Sequence, residues 1–202
     1  MIKRGNNMKE QVVLASNNKN KIREFSEILA DKQILSMSDI GYKDDVEETG
    51  ETFLENALIK ARTISEFLKS KGEEKSVFAD DSGLCVVALN GEPGVYSARY
   101  AGGHGRDEDN RQKLLSNLKD KEDRTAYFVC VVVKLNPDGT YSYSEGRTYG
   151  HILEEKSGEN GFAYDCLFFS DELGKSFGEA SSEEKNSVSH RAKAIRTLKN
   201  IM

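Results

Sequence analysis

Residues 11–37 read QVVLASNNKNKIREFSEILADKQILSM, and their pattern points to the architecture of the whole chain. Gln11 to Ala15 is a short valine-rich run suited to a buried strand, and Ser16-Asn17-Asn18 breaks it with turn and cap chemistry. A helix is expected from there, because Ile22, Phe25, Ile28 and Leu29 recur at helical spacing. Gln33 to Met37 looks like a second strand, so the opening is βαβ-like and helices should pack on a sheet.

Working outward, Leu54, Ala57, Leu58, Ala61, Ile64 and Leu68 fall on one face and predict a helix from Thr52 to Lys71, ended by Gly72. Ser76 to Ala79 leads into Asp80-Asp81-Ser82-Gly83, read as a turn. Leu84 to Leu89 then continues extended to the turn residues Asn90 to Gly94, which sets the acidic pair between strands. A helix is expected over Asp107 to Leu118. Ala126 to Leu135 reads as a strong strand, joined through Asn136-Pro137-Asp138-Gly139 to Tyr141 to Ser144 in antiparallel sheet. From Ser182 the chain reads as one helical stretch carrying Val188, Ala192, Ile195 and Leu198, with Ser181 and Glu184 spaced as a capping box. No internal repeat or low-complexity linker interrupts this order, so residues 1–202 are expected to form one α/β unit.

Composition narrows the classes of function. Of 202 residues, 37% are hydrophobic and 31% charged, which suits a folded chain with a very polar surface. A net charge of -5 argues against a broad grip on duplex nucleic acid, so any phosphate must meet a local basic cluster. No apolar run approaches the roughly 18 residues that span a bilayer, and Met1 to Glu10 lacks a signal-peptide core, so no membrane partner and a cytoplasmic location are expected. Cys85, Cys130 and Cys166 are far apart in sequence and read as buried small apolar residues rather than a disulfide framework or a zinc site.

Three segments carry candidate chemistry. Ser16, Asn17, Asn18, Lys19, Asn20 and Lys21 lie at a strand-to-helix junction, where backbone N–H groups and the helix dipole attract anions and Lys21 adds a point charge. The plainer reading is a polar turn with a solvated lysine, and no GxxxxGK[ST] sequence is present. Glu47, Glu48, Glu51, Glu55 and the pair Asp80-Asp81 offer hard oxygen ligands for Mg²⁺, which typically bridges one or two carboxylates to substrate phosphates. For Glu47 and Glu51 a solvated acidic helix start is the better reading. Asp80 and Asp81 at a buried strand end would repel unless a cation or a shared proton sat between them. Near the C-terminus, Lys185 with Ser189-His190-Arg191 offers hydrogen-bond donors, and Phe162 offers a stacking face.

In combination, the chain resembles the inosine/xanthosine triphosphate pyrophosphatase family. The resemblance rests on Ser16 through Lys21 and Glu24, Glu48 through Ala57, Ala79 through Leu84 with Pro93 through Tyr100, Gly161 through Asp165, and Glu184 through Arg191. It implies an elongated mixed sheet with flanking helices, two lobes around a central nucleotide-binding cleft, and a homodimer. It makes Ser16 to Lys21 a triphosphate loop, Glu48 and Asp81 magnesium-associated acids, and Asp81 also the proton acceptor. By the same resemblance Ser82 touches substrate, Phe162, Ala163, Tyr164 and Asp165 line the base pocket, and Lys185, His190 and Arg191 contact the nucleotide. The implied reaction converts ITP, dITP or XTP to monophosphate and pyrophosphate. His190 and Arg191 would donate to the 6-oxo group, and adenine would leave donors facing donors.

The chain departs from the family's usual Gly-Phe-Gly-Tyr-Asp-Pro at Ala163 and Cys166, which replace a permissive backbone position and a fixed turn. The family pattern begins near Met8-Lys9, leaving residues 1–7 as an extension. Other readings are a pyrophosphatase for pyrimidine or other modified nucleotides, a nucleotide-sensing module that does not need Asp81, and a single-stranded RNA binder. The acidic balance and 8% aromatic content weigh against the last.

Overall fold

The computed structural model describes residues 9–103 and 105–201, so the extension read at residues 1–7 lies outside the described residues. Strands β1 (Glu10–Leu14) and β2 (Lys32–Leu35) run parallel, linked by helix α1 (Lys19–Ile28), and the second strand is shorter than the expected Gln33 to Met37. Helix α2 (Phe53–Ser70) then carries the chain over to β3 (Val77–Val86), which pairs parallel with the other side of β1. Thr52 caps α2 in a full capping box with Glu55, which gives that carboxylate a structural task.

Antiparallel pairing takes over beyond β3. β4 (Thr125–Leu135) and β5 (Tyr141–Ile152) form the long hairpin, and short β6 (Phe168–Ser170) and β7 (Lys175–Ser176) complete a seven-stranded sheet in the order β2-β1-β3-β4-β5-β6-β7. β5 extends well past the expected Tyr141 to Ser144, through Gly146 and Gly150, which a propensity reading treats as breaks. At Gly146 a Cβ would collide with the His190 carbonyl and the Ala194 amide, so the glycine lets a helix lie directly on the strand.

Two of the three hydrophobic clusters cover opposite faces of the sheet. α2 packs Ala57, Ala61, Ile64 and Leu68 on one face, against Val13, Val77, Ala79 and Val133. On the other, α1 supplies Phe25 and Leu29, and α5 (His190–Ile201) supplies Ala194, Ile195 and Leu198, against Val12, Leu14, Phe78 and Val132. The third cluster lies around the β6 end and includes Leu114 of α3 (Asp107–Asn117). Among the described residues no helix is long and apolar enough to cross a membrane.

Several expectations need correction. Asp80-Asp81-Ser82-Gly83 is not a turn between strands but the interior of β3, paired throughout with Val129 to Val132 of β4. β3 ends at Val86, and Val87–Leu89 form a 3-10 turn instead of continuing extended. The C-terminal stretch is two helices, α4 (Ser182–Val188) and α5, because Ser189 adopts extended backbone at ψ 149°. Its hydroxyl accepts the Ala192 amide at 3.2 Å and restarts the helix. Ser181 and Glu184 do form the expected capping box at the head of α4. Cys85 and Cys130 are buried as expected, but Cys166 is only half-buried.

Candidate active site

Alternation along β3 organises the site. Successive side chains of a strand point to opposite faces, so Asp80 is directed toward α1 and α5 while Asp81 is directed toward α2. The adjacent acids thereby have different nearest cations, Lys21 and Arg191 for Asp80 and Lys60 for Asp81, although Lys60 and Lys21 act on both.

On the first face, Lys21 Nζ stands 3.0 Å from Asp80 Oδ1, and Arg191 Nε donates to Asp80 Oδ2 at 3.0 Å. Arg191 Nη1 also donates to Glu24 Oε2 at 2.7 Å, and Nη2 to the Ser82 hydroxyl at 3.4 Å. Burial favours protonation of Asp80, but Lys21, Arg191 and Lys60 overcome it and hold the carboxyl well below the usual range. Three of the five N–H donors of Arg191 are therefore engaged within the protein, so its role toward a base is narrower than the sequence suggested. Lys21 is likewise not a free point charge, because it also neutralises a buried acid.

On the second face, Asn56 Nδ2 donates to Asp81 Oδ2 at 3.1 Å, and Lys60 Nζ lies 3.6 Å from Asp81 Oδ1. Lys60 also donates to Glu48 Oε1 at 2.5 Å, and the Arg99 guanidinium reaches Glu48 Oε2 at 3.5 Å and its carbonyl at 3.2 Å. Burial raises the pKa of Asp81 and the Glu48 charge adds to it, against the opposing pull of Lys60. Glu48 is pulled the other way: its burial is outweighed by Lys60, Lys21 and Arg99, so it ionises more readily than a free glutamate. Burial disfavours the Lys60 charge, but Asp81, Glu48 and Asp80 more than compensate and keep it protonated. One acid of reduced acidity thus sits beside one that stays ionised, an arrangement suited to proton transfer next to a charge-binding group.

These residues line two adjoining clefts. One, of about 700 Å³, includes Ser16, Asn17, Asn18, Lys21, Glu48, Lys60 and Arg99. The other, of about 400 Å³, shares Ser16, Asn18, Lys21 and Glu48 and continues past Asp81 and Ser82 to Phe162, Ala163, Lys185 and His190. A cation-rich end therefore joins an aromatic end. The exposed side chain of Lys19 lines neither cleft, which separates it from the other loop residues. Asn18 caps α1 and accepts the Asn20 and Lys21 amides at 2.9 and 3.3 Å, so two N–H groups expected to be free for an anion are already satisfied. Asn17 Oδ1 accepts the amide and hydroxyl of Ser38, at 2.9 and 2.8 Å. Glu47 and Glu51 are exposed, although Glu47 borders the larger cleft.

At the aromatic end, Lys185 Nζ pairs with Asp165 Oδ2 at 2.6 Å and lies 4.7 Å from the centre of the Phe162 ring. Asp165 also accepts the Phe162 amide at 2.7 Å, and Tyr164 is buried with its hydroxyl donating to the Ser97 carbonyl at 2.8 Å. Both residues line the smaller cleft, as expected, and these contacts fix them in its wall. His190 is buried and stacked on Phe128 at 4.8 Å, and its Nδ1 has no partner among the described residues. Burial, reinforced by Arg191 and Lys185, pushes its pKa well down, so the ring is neutral and keeps one donor and one acceptor.

Sequence reasoning passed over Asn56, Lys60 and Arg99. Asn56 and Lys60 are four apart on the buried face of α2, beside Ala57, Ala61 and Ile64. A polar pair in an otherwise apolar helical row was the available signal. Arg99 gave no such signal, since it reaches Glu48 only through tertiary folding.

The model for the Ham1 family matches residues 12–201. The dITP/XTP pyrophosphatase of Clostridium perfringens is 51% identical, over 94% of this chain and 96% of that protein. Its counterpart from Staphylococcus epidermidis is 48% identical, over 94% of this chain and 95% of that one. Among solved structures, the Staphylococcus aureus Ham1 protein superposes with a TM-score of 0.85 at 45% identity, covering 95% of this chain and 97% of that chain. A HAM1 protein from Coxiella burnetii superposes at 0.84 with 38% identity, covering 95% and 98%.

Proposed function

The chain belongs to the Ham1 family, and from that premise we propose how its cleft carries out the family's chemistry. The protein is a pyrophosphatase that hydrolyses non-standard purine nucleoside triphosphates. Its substrates are ITP, dITP and XTP, cleaved to monophosphate and pyrophosphate. The observation that carries this reading is the junction of the two clefts at Ser16, Asn18, Lys21 and Glu48, with Lys60 and Arg99 toward one end and Asp81 leading to Phe162 toward the other.

The donor set fits magnesium. Glu48 and Asp81 are hard oxygen donors that already surround one cationic position, with Lys60 Nζ 2.5 Å from Glu48 and 3.6 Å from Asp81. Glu48 and Asp81 are the residues that would hold the ion, in keeping with a cation that commonly uses one or two carboxylates. Held there by these two acids, the ion would supply positive charge against the triphosphate and the leaving pyrophosphate. Lys21 and Lys60 disperse further phosphate charge so that water can approach the α-phosphorus. Asp81 orients that water and takes its proton as the new O–P bond forms and the bond to the pyrophosphate oxygen breaks. The raised pKa of Asp81 makes its carboxylate a better proton acceptor than that of an ordinary aspartate.

At the other end, Phe162 stacks on the base, with Lys185 beside it. Neutral His190, whose Nδ1 is unpartnered, and the remaining donors of Arg191 meet the 6-oxo edge. We place the enzyme in the cytoplasm as a homodimer. Exposed Tyr141 and Tyr143, with Tyr149 beyond the Glu145–Arg147 ion pair on the same face of β5, offer aromatic contacts to a second copy. A turnover panel of inosine, xanthosine, guanosine, adenosine and pyrimidine triphosphates with Mg²⁺ tests the assignment. Inosine and xanthosine triphosphates should lead, and a pyrimidine turned over faster than either would overturn the assignment.

A further inference from the structure

Ala163 occupies the left-handed region at φ +53°, a backbone conformation that L-residues other than asparagine and aspartate seldom adopt. Its predecessor Phe162 is the aromatic wall of the cleft, so the conformation at 163 sets where that ring points. Two side chains of α3, one turn apart, grip the peptides on either side. Asp107 Oδ2 accepts the Ala163 amide at 3.3 Å, and Arg111 Nη1 donates to the Ala163 carbonyl at 2.5 Å. Arg111 is itself held, since Glu108 accepts from its Nη2 at 2.9 Å and its Nε at 3.3 Å, and Lys156 pairs with the same carboxylate. On the same side of α3, Asn110 anchors the helix, its Oδ1 accepting the Ala101 amide at 2.7 Å. The helix is thus a bracket fixed to the body of the protein with two hydrogen bonds extended to a single strained residue.

We propose that Asp107 and Arg111 are positioning residues that hold Ala163 left-handed, and so aim Phe162 and set the width of the base end of the cleft. Asp107 borders the cleft, whereas Arg111 is not among its lining residues and acts only through the Ala163 peptide. Glycine at 163 would visit the left-handed region without restraint, and alanine needs the clamp. The demand for Arg111 is therefore tied to the residue at 163. This inference rests on the reading of Phe162 as the base-stacking wall.

The test is a coupling experiment on the full-length enzyme with inosine triphosphate and Mg²⁺, using Arg111→Leu, Ala163→Gly, the double variant and Phe162→Ala. Arg111→Leu keeps the aliphatic stem but removes the donors. It should raise KM about five- to tenfold with kcat within about twofold, because a misaimed ring weakens base binding alike in ground and transition states. In the Ala163→Gly background the same change should raise KM by about twofold or less. Inhibition by inorganic tripolyphosphate, which has no base, should be unchanged in every variant. Equal KM effects of Arg111→Leu in both backgrounds, or none in either, would overturn the clamp. A loss of folding in both backgrounds would overturn it as well, making Arg111 a determinant of the fold, whereas folding rescued by Ala163→Gly would support it. If instead Phe162→Ala leaves KM unaltered, the base-end reading itself fails, and that outcome is separate from failure of the clamp.

Discussion

Replacing Asp81 by asparagine separates chemistry from structure at the centre of the site. Asparagine keeps the size of the side chain, and its carbonyl can still accept from Asn56, which now donates to Asp81 at 3.1 Å. It cannot take a proton from water, and it is a weaker ligand for Mg²⁺. We expect kcat to fall by about 10²-fold or more, which corresponds to about 2.7 kcal/mol or more of lost transition-state stabilisation. The effect on stability should be much smaller and can be favourable. Burial and Glu48 raise the pKa of Asp81, so the fold prefers its neutral form. That preference stabilises the protein fully below the ordinary carboxylate pKa and is lost as pH rises through the raised value in the native state. Without Mg²⁺, the melting temperature of the variant should therefore gain on the parent as pH rises above the ordinary aspartate range. Against this gain stands one weakened contact to Lys60, worth about 1 kcal/mol. Nucleotide binding by calorimetry, melting temperature and single-turnover cleavage should be measured on one preparation. A folded variant that hydrolyses inosine triphosphate within a few-fold of the parent would refute the role of Asp81 as proton acceptor.

Phe162→Ala should raise KM more than it lowers kcat in steady-state kinetics, since stacking is similar before and during phosphoryl chemistry. Lys21→Ala should weaken binding and slow turnover, and it should also lower stability by about 1–3 kcal/mol in chemical denaturation, because Asp80 Oδ1 is left buried without its cation. Intact stability in that variant would mean that the Lys21–Asp80 pair contributes nothing to the fold. Gly83→Ala should destabilise by about 1–3 kcal/mol through overpacking, because a Cβ there meets the Gly94 carbonyl, the Ser97 hydroxyl and Phe53. A denaturation midpoint equal to the parent's would show that this contact is not tight.

Local chemistry carried much of the architecture in plain view. The helical spacing of Ile22, Phe25 and Leu29, the apolar stripe of α2, the Ser181–Glu184 capping box and the Asn136–Gly139 turn each act over a few residues. Where reading failed, tertiary packing outweighed propensity. Aspartates and a glycine argued for a turn at 80–83, yet Lys21, Arg191 and Lys60 make those charges tolerable inside a strand, and Gly83 supplies room for the 3-10 segment Gly94–Arg99. β5 runs through Gly146 because α5 lies against it, and that approach joins residues about fifty apart in sequence.

The candidate site divides along the same line. Phosphate-loop and acidic residues were legible as types, but their pairing was not. That Asp80 belongs to Arg191 and Lys21 while Asp81 belongs to Lys60 follows from strand alternation, which became evident only once residues 80–83 were placed within β3. The engagement of Arg191 with Glu24 and the isolation of Lys19 from both clefts have no counterpart in local sequence.

The central claim is that water attacks the α-phosphorus of an inosine-type triphosphate with Asp81 as proton acceptor. It is tested most directly by following the hydrolysis of inosine triphosphate with Mg²⁺ in ¹⁸O-labelled water by ³¹P NMR. Inosine monophosphate should carry the label, pyrophosphate should be unlabelled, and Asp81→Asn should slow the appearance of both strongly. Inosine diphosphate with inorganic phosphate, or label found in pyrophosphate, would place the attack on another phosphorus and contradict it.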